Sequence, residues 1–156
     1  MMRFAIPGAE WELRLNDDVL ETFRSRAQVR RQSAETVGQL YAPLLSAREV
    51  EIQTATVLQP KSANRTRVVI EKSLAERERT AMFEKGMHCA GVWHTHPEPY
   101  PSPSSDDRQL AEDYAQAAAT AGLAGVVFVI VGTETFPAGI FVGIHDGQVM
   151  HRATII

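Results

Sequence analysis

The chain has 156 residues, of which 44% are hydrophobic and 22% charged, with a formal net charge of −3. Those values fit one globular domain over residues 1–156, burying about 70% of the surface its unfolded chain would expose. Cys89 is the only cysteine. This excludes an internal disulfide framework and a zinc site built on paired cysteines, and nothing in the charge suggests a nucleic-acid binder held by phosphate neutralisation. No apolar run reaches the roughly 18–20 residues a membrane span requires. The stretch after Met1 soon turns acidic through Glu10, Glu12 and Asp17, unlike a leader peptide. The expectation is a cytoplasmic protein with neither nucleic acid nor membrane as a partner.

Residues 11–15 alternate apolar and polar, which predicts a short half-buried strand. Asn16-Asp17-Asp18 then supplies an N-cap and an acidic first turn. Val19, Leu20, Phe23 and Ala27 form one helical stripe, and Arg24, Arg26, Arg30 and Arg31 follow toward its end. Acid early and base late suits the helix dipole. Residues 36–45 and 50–58 read as strands, joined by a short connection near Ser46-Ala47-Arg48 that predicts a hairpin. Residues 60–64 read as a loop and 66–71 as a third strand. Ser73-Leu74-Ala75-Glu76 has the pattern of a capping box opening a charged helix that ends near Gly86.

Residues 89–96 read as a strand apolar on both faces. Pro97, Pro99, Pro101 and Pro103 then forbid regular hydrogen-bonded structure. A helix is predicted from Ser104 to about Ala121, stopped by Gly122. The nearly continuous apolar run 123–131 predicts a central buried strand. Residues 140–144 and 148–154 close the chain as two strands about an Asp146-Gly147 turn. Six to eight strands and three helices make a mixed α/β sandwich.

His94 and His96 stand two apart on a predicted strand, so both imidazoles lie on one face. That spacing suits two ligands converging on one metal ion. On the next helix, Asp107 precedes Leu110 and Ala111 by three and four residues and so falls on the core-facing stripe, where a carboxylate needs a partner. Asp106 is rotated by about 100° toward solvent. Ser104 and Asp107 also form an S-x-x-D capping box, which alone would explain both residues. With two same-face histidines just upstream, His94, His96 and Asp107 become a candidate ligand trio with a fourth position left for water.

Other residues carry weaker readings. Glu49, Glu51 and Glu71 are rival general bases that read more readily as solvated strand charges. Cys89 reads as a small buried hydrophobe. His88 would share the face of His94 on a regular strand, but about 20 Å away. His145 and His151 read as surface residues. The arginine-rich end of the first helix reads as a solvated face, with contact to an acidic partner surface as the weaker alternative. His96-Pro97-Glu98 mimics the H-x-E of zinc nucleobase deaminases, but the further cysteine ligands are missing.

His94-Thr95-His96, seven intervening residues, then Ser104-Ser105-Asp106-Asp107 resembles the H-[ST]-H-x7-S-x-x-D signature of the JAMM (JAB1/MPN/Mov34) metalloproteases. The segment from Glu35 to Tyr41 resembles the family's upstream glutamate-bearing strand, with departures at Val37 and Gln39. The order of elements is similar over roughly residues 10 to 150. The resemblance implies a single mixed-sheet α/β domain of cytidine-deaminase-like, JAB/MPN architecture: a curved, mostly antiparallel sheet flanked by about three helices. It implies one Zn2+ per chain on His94, His96 and Asp107, with Glu35 as general base and Ser104 as oxyanion donor. It further implies a peptidase or isopeptidase acting at the tail of a ubiquitin-like protein or its conjugates, in a compact bacterial or phage-related member with little chain left for substrate recognition. The implied partners are the ubiquitin-like protein or its conjugates, with E1- and E2-like enzymes encoded nearby in an antiviral setting or sulfur-transfer genes in a carrier-processing one. The alternatives are a non-catalytic scaffold of the same fold and a zinc hydrolase of small peptides or sulfur-carrier precursors.

Overall fold

The computed structural model describes residues 1–45 and 48–156. In chain order it contains β1 (Met2–Ala5), β2 (Glu12–Leu15), α1 (Asp17–Arg26), β3 (Val37–Ala42), β4 (Glu49–Ile52), β5 (Thr54–Ala55), β6 (Ser62–Ala63) and β7 (Val68–Val69). Then come α2 (Lys72–Glu84), β8 (His88–Thr95), α3 (Ser105–Thr120), β9 (Val126–Val131), β10 (Ile140–His145), β11 (Met150–Arg152) and β12 (Thr154–Ile155).

The central sheet has six strands in the order β11-β10-β9-β8-β3-β5. Its pairings are antiparallel except β8 with β9, which is parallel. Parallel neighbours require a crossover, and α3 supplies it. β9 is buried along its whole length, as a strand covered on both faces must be.

Each face of this sheet carries its own apolar core. On one side Leu40, Trp93, Val129 and Val142 pack against Val19, Leu20 and Phe23 of α1 and against Leu13, Leu15, Val50 and Ile52. α1 starts where Asn16 accepts the Val19 N–H at 2.9 Å, and its Phe23 ring lies 4.8 Å from that of Trp93. On the other side Val37, Val92, Phe128 and Ile130 pack against Ala75 of α2 and Leu110, Ala111 and Tyr114 of α3. The structure is thus an α/β fold of three layers, with a mostly antiparallel central sheet and three helices.

α2 buries only Ala75 fully, and a polar hub adds to its hold on the sheet. Fully buried Gln39 donates to the Ala75 carbonyl and to Glu78 Oε1, both at 3.1 Å. It accepts from Arg79 at 2.8 Å and from the Tyr114 hydroxyl at 3.0 Å. A satisfied buried network of this kind fixes one docking geometry for the helix.

Several elements differ from expectation. β1 was not predicted, and it anchors a second sheet of order β12-β1-β2-β4. The anticipated hairpin splits. β4 leaves β3 and pairs in parallel with β2, setting Val50 and Ile52 opposite Leu13 and Leu15, while β5 returns beside β3. The choice buries both apolar residues of β4. Ser46 and Ala47 of the expected connection lie outside the described residues. The expected loop at 60–64 contains β6, paired with β7, and the third strand shrinks to Val68–Val69. The Ser73 capping box does not form. α2 begins two residues earlier, with Glu71 at the cap position, and the Ser73 hydroxyl donates to Glu71 Oε1 at 3.0 Å.

β8 is also irregular. Leu40 pairs with Gly91 and Tyr41 with Cys89, so Ala90 is an extra residue in β8. Such a bulge reverses the alternation of side chains. Cys89, not His88, therefore joins the face of Val92 and His94, with its Sγ 3.9 Å from Gln39 Oε1. His88 instead stacks edge-on against Phe83.

Close approach of segment 54–58 to β3 depends on Gly38. A Cβ there would fall 1.7 Å from the Thr56 carbonyl oxygen and 2.5 Å from Trp93 Nε1, which donates to that oxygen at 2.8 Å. Gly38→Ala should therefore destabilise the fold by about 3 kcal/mol or more, through overpacking against backbone plus a broken buried hydrogen bond. A urea midpoint within error of the wild type would refute this packing account.

Candidate metal centre

β8 delivers both histidines to one place. His94 ends up opposite Val37 in the sheet, and the His96 N–H prolongs the strand by donating to the Val131 carbonyl at 2.9 Å. Their rings meet edge to face with centroids 4.7 Å apart, and the His94 ring stands against Phe128 at 5.4 Å. Both side chains are buried.

The carboxylates arrive from either side. Asp107 is buried in the first turn of α3, whereas Asp106 is exposed, as the helical rotation predicts. The S-x-x-D box is real: the Ser104 N–H donates to Asp107 Oδ2 at 2.8 Å, and the Asp107 N–H donates to Ser104 Oγ at 3.2 Å. The same carboxylate faces the histidines, with Oδ1 2.8 Å from His94 Nε2 and Oδ2 3.1 Å from His96 Nε2. The cap and the ligand readings of Asp107 are geometrically compatible. Glu35 is buried just before β3, with Oε2 4.0 Å from His94 Nδ1.

Glu35, His94 and His96 each offer a donor atom, and these atoms all lie within 4.8 Å of one another. This buried trio could hold a metal ion. Glu35 thus stands where the expected His-His-Asp set has Asp107, while Asp107 touches both histidines from the α3 side. The fit to a metal can be tested on the imidazoles. His94 Nδ1, His94 Nε2 and His96 Nδ1 are buried without a hydrogen-bond partner. Buried polar atoms normally find partners, and a divalent cation accepting imidazole lone pairs would provide one. Nitrogen donors with carboxylates suit zinc and similar borderline ions.

The electrostatics separate the two carboxyls. Burial pushes Glu35 up to about 7, a rise that His96 opposes and Asp107 and Glu98 reinforce. Asp107 goes the other way. Burial alone would raise it, but His94, His96 and the Ser104 N–H hold it well below the usual carboxylate range. His96 is raised, since its contacts with Asp107 outweigh the downward pull of burial. Glu98 Oε1 stands 3.7 Å from His96 Nδ1.

Two positioning residues were not expected. The Thr95 hydroxyl accepts the Thr36 N–H at 2.9 Å and donates to Gln28 Oε1 at 2.9 Å. Thr95 lies between the two histidines on the opposite face, and this clasp sets the backbone adjoining Glu35. Period-two geometry could have flagged Thr95, but nothing marks Gln28, which follows α1 without a motif. The proline loop is placed by Gly132, where a Cβ would meet the Glu98 carbonyl oxygen at 2.5 Å and Pro101 Cδ at 2.6 Å.

The remaining candidates lie elsewhere. Glu49 pairs with Arg14 at 2.9 Å in the smaller sheet, and Glu51 sits opposite Arg14 in the same sheet. Glu71 stands at the start of α2. Cys89 is partly buried, and burial pushes its thiol up to about 11, which opposes a thiolate nucleophile. His151 is exposed and paired with Asp146 at 2.8 Å. His145 departs from the surface reading: it is buried, and its Nδ1 accepts the Gly147 N–H at 3.0 Å to stabilise the turn.

A carboxyl raised on folding binds its proton more tightly in the folded state. Its contribution to stability is therefore lost as pH rises from the ordinary 4.5 to about 7. In chelator-treated protein, Glu35→Gln should remove that loss, so the variant gains stability relative to wild type across this window. Urea midpoints that shift in parallel with pH for both proteins would contradict the buried setting of Glu35.

Solved structures resemble this fold. A protein from Desulfitobacterium hafniense superposes with a TM-score of 0.69 at 16% identity, covering 92% of this chain and 91% of its own. One from Salinibacter ruber superposes with a TM-score of 0.56 at 19% identity, covering 92% of this chain and 90% of its own. Among curated proteins none matches. Residues 17–142 match the prokaryotic homologs of the JAB domain, a match that takes in Glu35, both histidines, Ser104 and Asp107. The chain belongs to this family of prokaryotic JAB-domain homologs.

Proposed function

We propose that this protein is a zinc-dependent peptidase or isopeptidase that cleaves after the C-terminal tail of a ubiquitin-like protein or removes it from conjugates. The observation that carries the reading is the buried meeting of Glu35 with His94 and His96, closed from the other side by Asp107. His94, His96 and Asp107 would hold the ion, and when bound it supplies Lewis acidity toward water and the scissile carbonyl.

The residues of the chain divide the remaining work. Glu35, with its carboxyl near neutrality, is matched to take a proton from the attacking water and later deliver it to the leaving amine. Ser104 Oγ already accepts from the Asp107 N–H, which leaves its own hydrogen to donate to the oxygen that gains charge as the carbonyl is attacked. The C–N bond breaks with the amine leaving protonated, and no residue of the protein forms a covalent intermediate.

An extended tail is expected to bind through main-chain hydrogen bonds, as strands add to a sheet edge. Segment 54–58 offers such an edge. It runs along β3 through Thr56 N–H to the Gln39 carbonyl and Leu58 N–H to the Val37 carbonyl, each 2.9 Å, ending next to the register partner of His94. E1- and E2-like enzymes would generate the conjugates, in the cytoplasm of a bacterial cell.

Purified protein should carry about one zinc per chain. Asp107→Ala should lose it and Asp106→Ala should keep it, by elemental analysis after gel filtration. Loss in the second variant instead of the first would move the ligand by one residue. Glu35→Gln should retain zinc while slowing cleavage of a ubiquitin-like fusion by about 10²–10⁴-fold, the usual effect of removing a general base. Unchanged cleavage by that variant, read by mass spectrometry of the products, would place the base elsewhere.

A further inference from the structure

The charge of the molecule is unevenly divided. Residues 22–34 and 53–70 hold seven of the sixteen Lys and Arg residues and not one Asp or Glu. The rest of the chain, which carries all nineteen acids, is correspondingly negative. The fold brings the two acid-free segments together. Gln28 Nε2 donates to the Ser33 carbonyl at 2.9 Å and to the Arg65 carbonyl at 2.8 Å. The Arg65 guanidinium donates to the carbonyls of Arg30 and Arg31, both at 2.8 Å. The Glu35 N–H completes the seam by donating to the Asn64 carbonyl at 2.6 Å.

The backbone bearing Arg30 and Arg31 is thereby fastened to the β6–β7 hairpin, which bears Lys61 and Arg67, and the join ends at Glu35. Arg26, Arg30, Arg31, Lys61 and Arg67 are all exposed. Among the described residues none of the five is ion-paired with a carboxylate. Gathering like charges without counter-charges costs Coulomb energy, which an anionic partner would reverse.

The details favour a protein partner over a nucleic acid. Neither segment has an exposed aromatic residue on which bases could stack; its one aromatic, Phe23, is buried. Val29, 69% exposed beside Arg30, offers apolar contact of a kind suited to a protein surface. We propose that this cationic face docks an acidic surface on the substrate protein, orienting it so that its tail enters beside Glu35. The proposal rests on the peptidase reading for the nature of the partner. It assigns to the face a role in encounter and orientation, separate from bond cleavage.

The test uses the full chain and fluorescein-labelled deca-glutamate, followed by anisotropy, with a short labelled DNA duplex as competitor class. The variant is Arg30→Glu/Arg31→Glu/Arg67→Glu, which leaves the carbonyl-binding Arg65 intact. A neutral version with Gln at the same three positions covers the event that charge reversal perturbs folding. Wild type should bind deca-glutamate, and either variant should weaken it by about tenfold or more; so should raising salt from about 50 to about 200 mM. Glu35→Gln should bind like wild type.

Failure of the wild type to bind deca-glutamate, or binding as tight as wild type by both triple variants, overturns the proposal. Tighter binding of the duplex, lost in the variants, also overturns it and assigns the face to nucleic acid. The probe has no tail to cleave, so its binding does not depend on hydrolysis. A protein that binds it without cleaving any ubiquitin-like fusion would sink the peptidase reading alone, and one that cleaves but ignores the probe would sink the docking proposal alone.

Discussion

The pairing of β3 with β8 is the constraint on which the rest depends. It sets Val37 opposite His94 and so brings a glutamate and two histidines, some sixty residues apart in sequence, into one buried space. Slippage by one residue would turn both imidazoles to the other face of the sheet. The register is held at three points. Thr36 and Thr95 exchange a backbone and a side-chain hydrogen bond, Gly38 admits segment 54–58 against its neighbour, and the Ala90 bulge fixes the phase on the far side. The sheet aligns the candidate centre, and the two cores keep the sheet in place.

Much of this was legible because the relevant signals are local. Two histidines at period two, a helix start at Ser104 and a carboxylate on its buried stripe need only the geometry of one strand and one helix. α1 was equally plain, since Asn16, Asp17 and Asp18 precede a clean stripe of Val19, Leu20 and Phe23. What stayed hidden was non-local. β1 gains its meaning from β2 and β12, at opposite ends of the chain. β4 chose the smaller sheet because Leu13 and Leu15 were there to cover Val50 and Ile52, which no window around 50–58 reveals. The bulge at Ala90 leaves no mark on the alternation of apolar residues, yet it decides that Cys89 rather than His88 shares the face of His94.

Polar residues in the interior follow the same division. Gln39 looked like a departure from a family strand, and its role emerges only when α2 and α3 are seen around it. Gln28 is similar: it joins the strand-end threonine to two loop carbonyls, a task that depends on three separate segments. Such residues organise a fold through satisfied hydrogen bonds rather than through buried area.

The Asp107 carboxylate is already engaged by the Ser104 N–H and lies against both imidazoles before any ion is added. An unfilled centre therefore does not leave Asp107 a lone buried anion, and α3 keeps its start. Were the centre to take an ion, folding and metal acquisition would in this sense be separable events, unlike in small domains that stay unfolded until they capture their ion. On the proposed metal reading the chain would mature first and be loaded afterwards, and would exchange an ion without passing through an unfolded state.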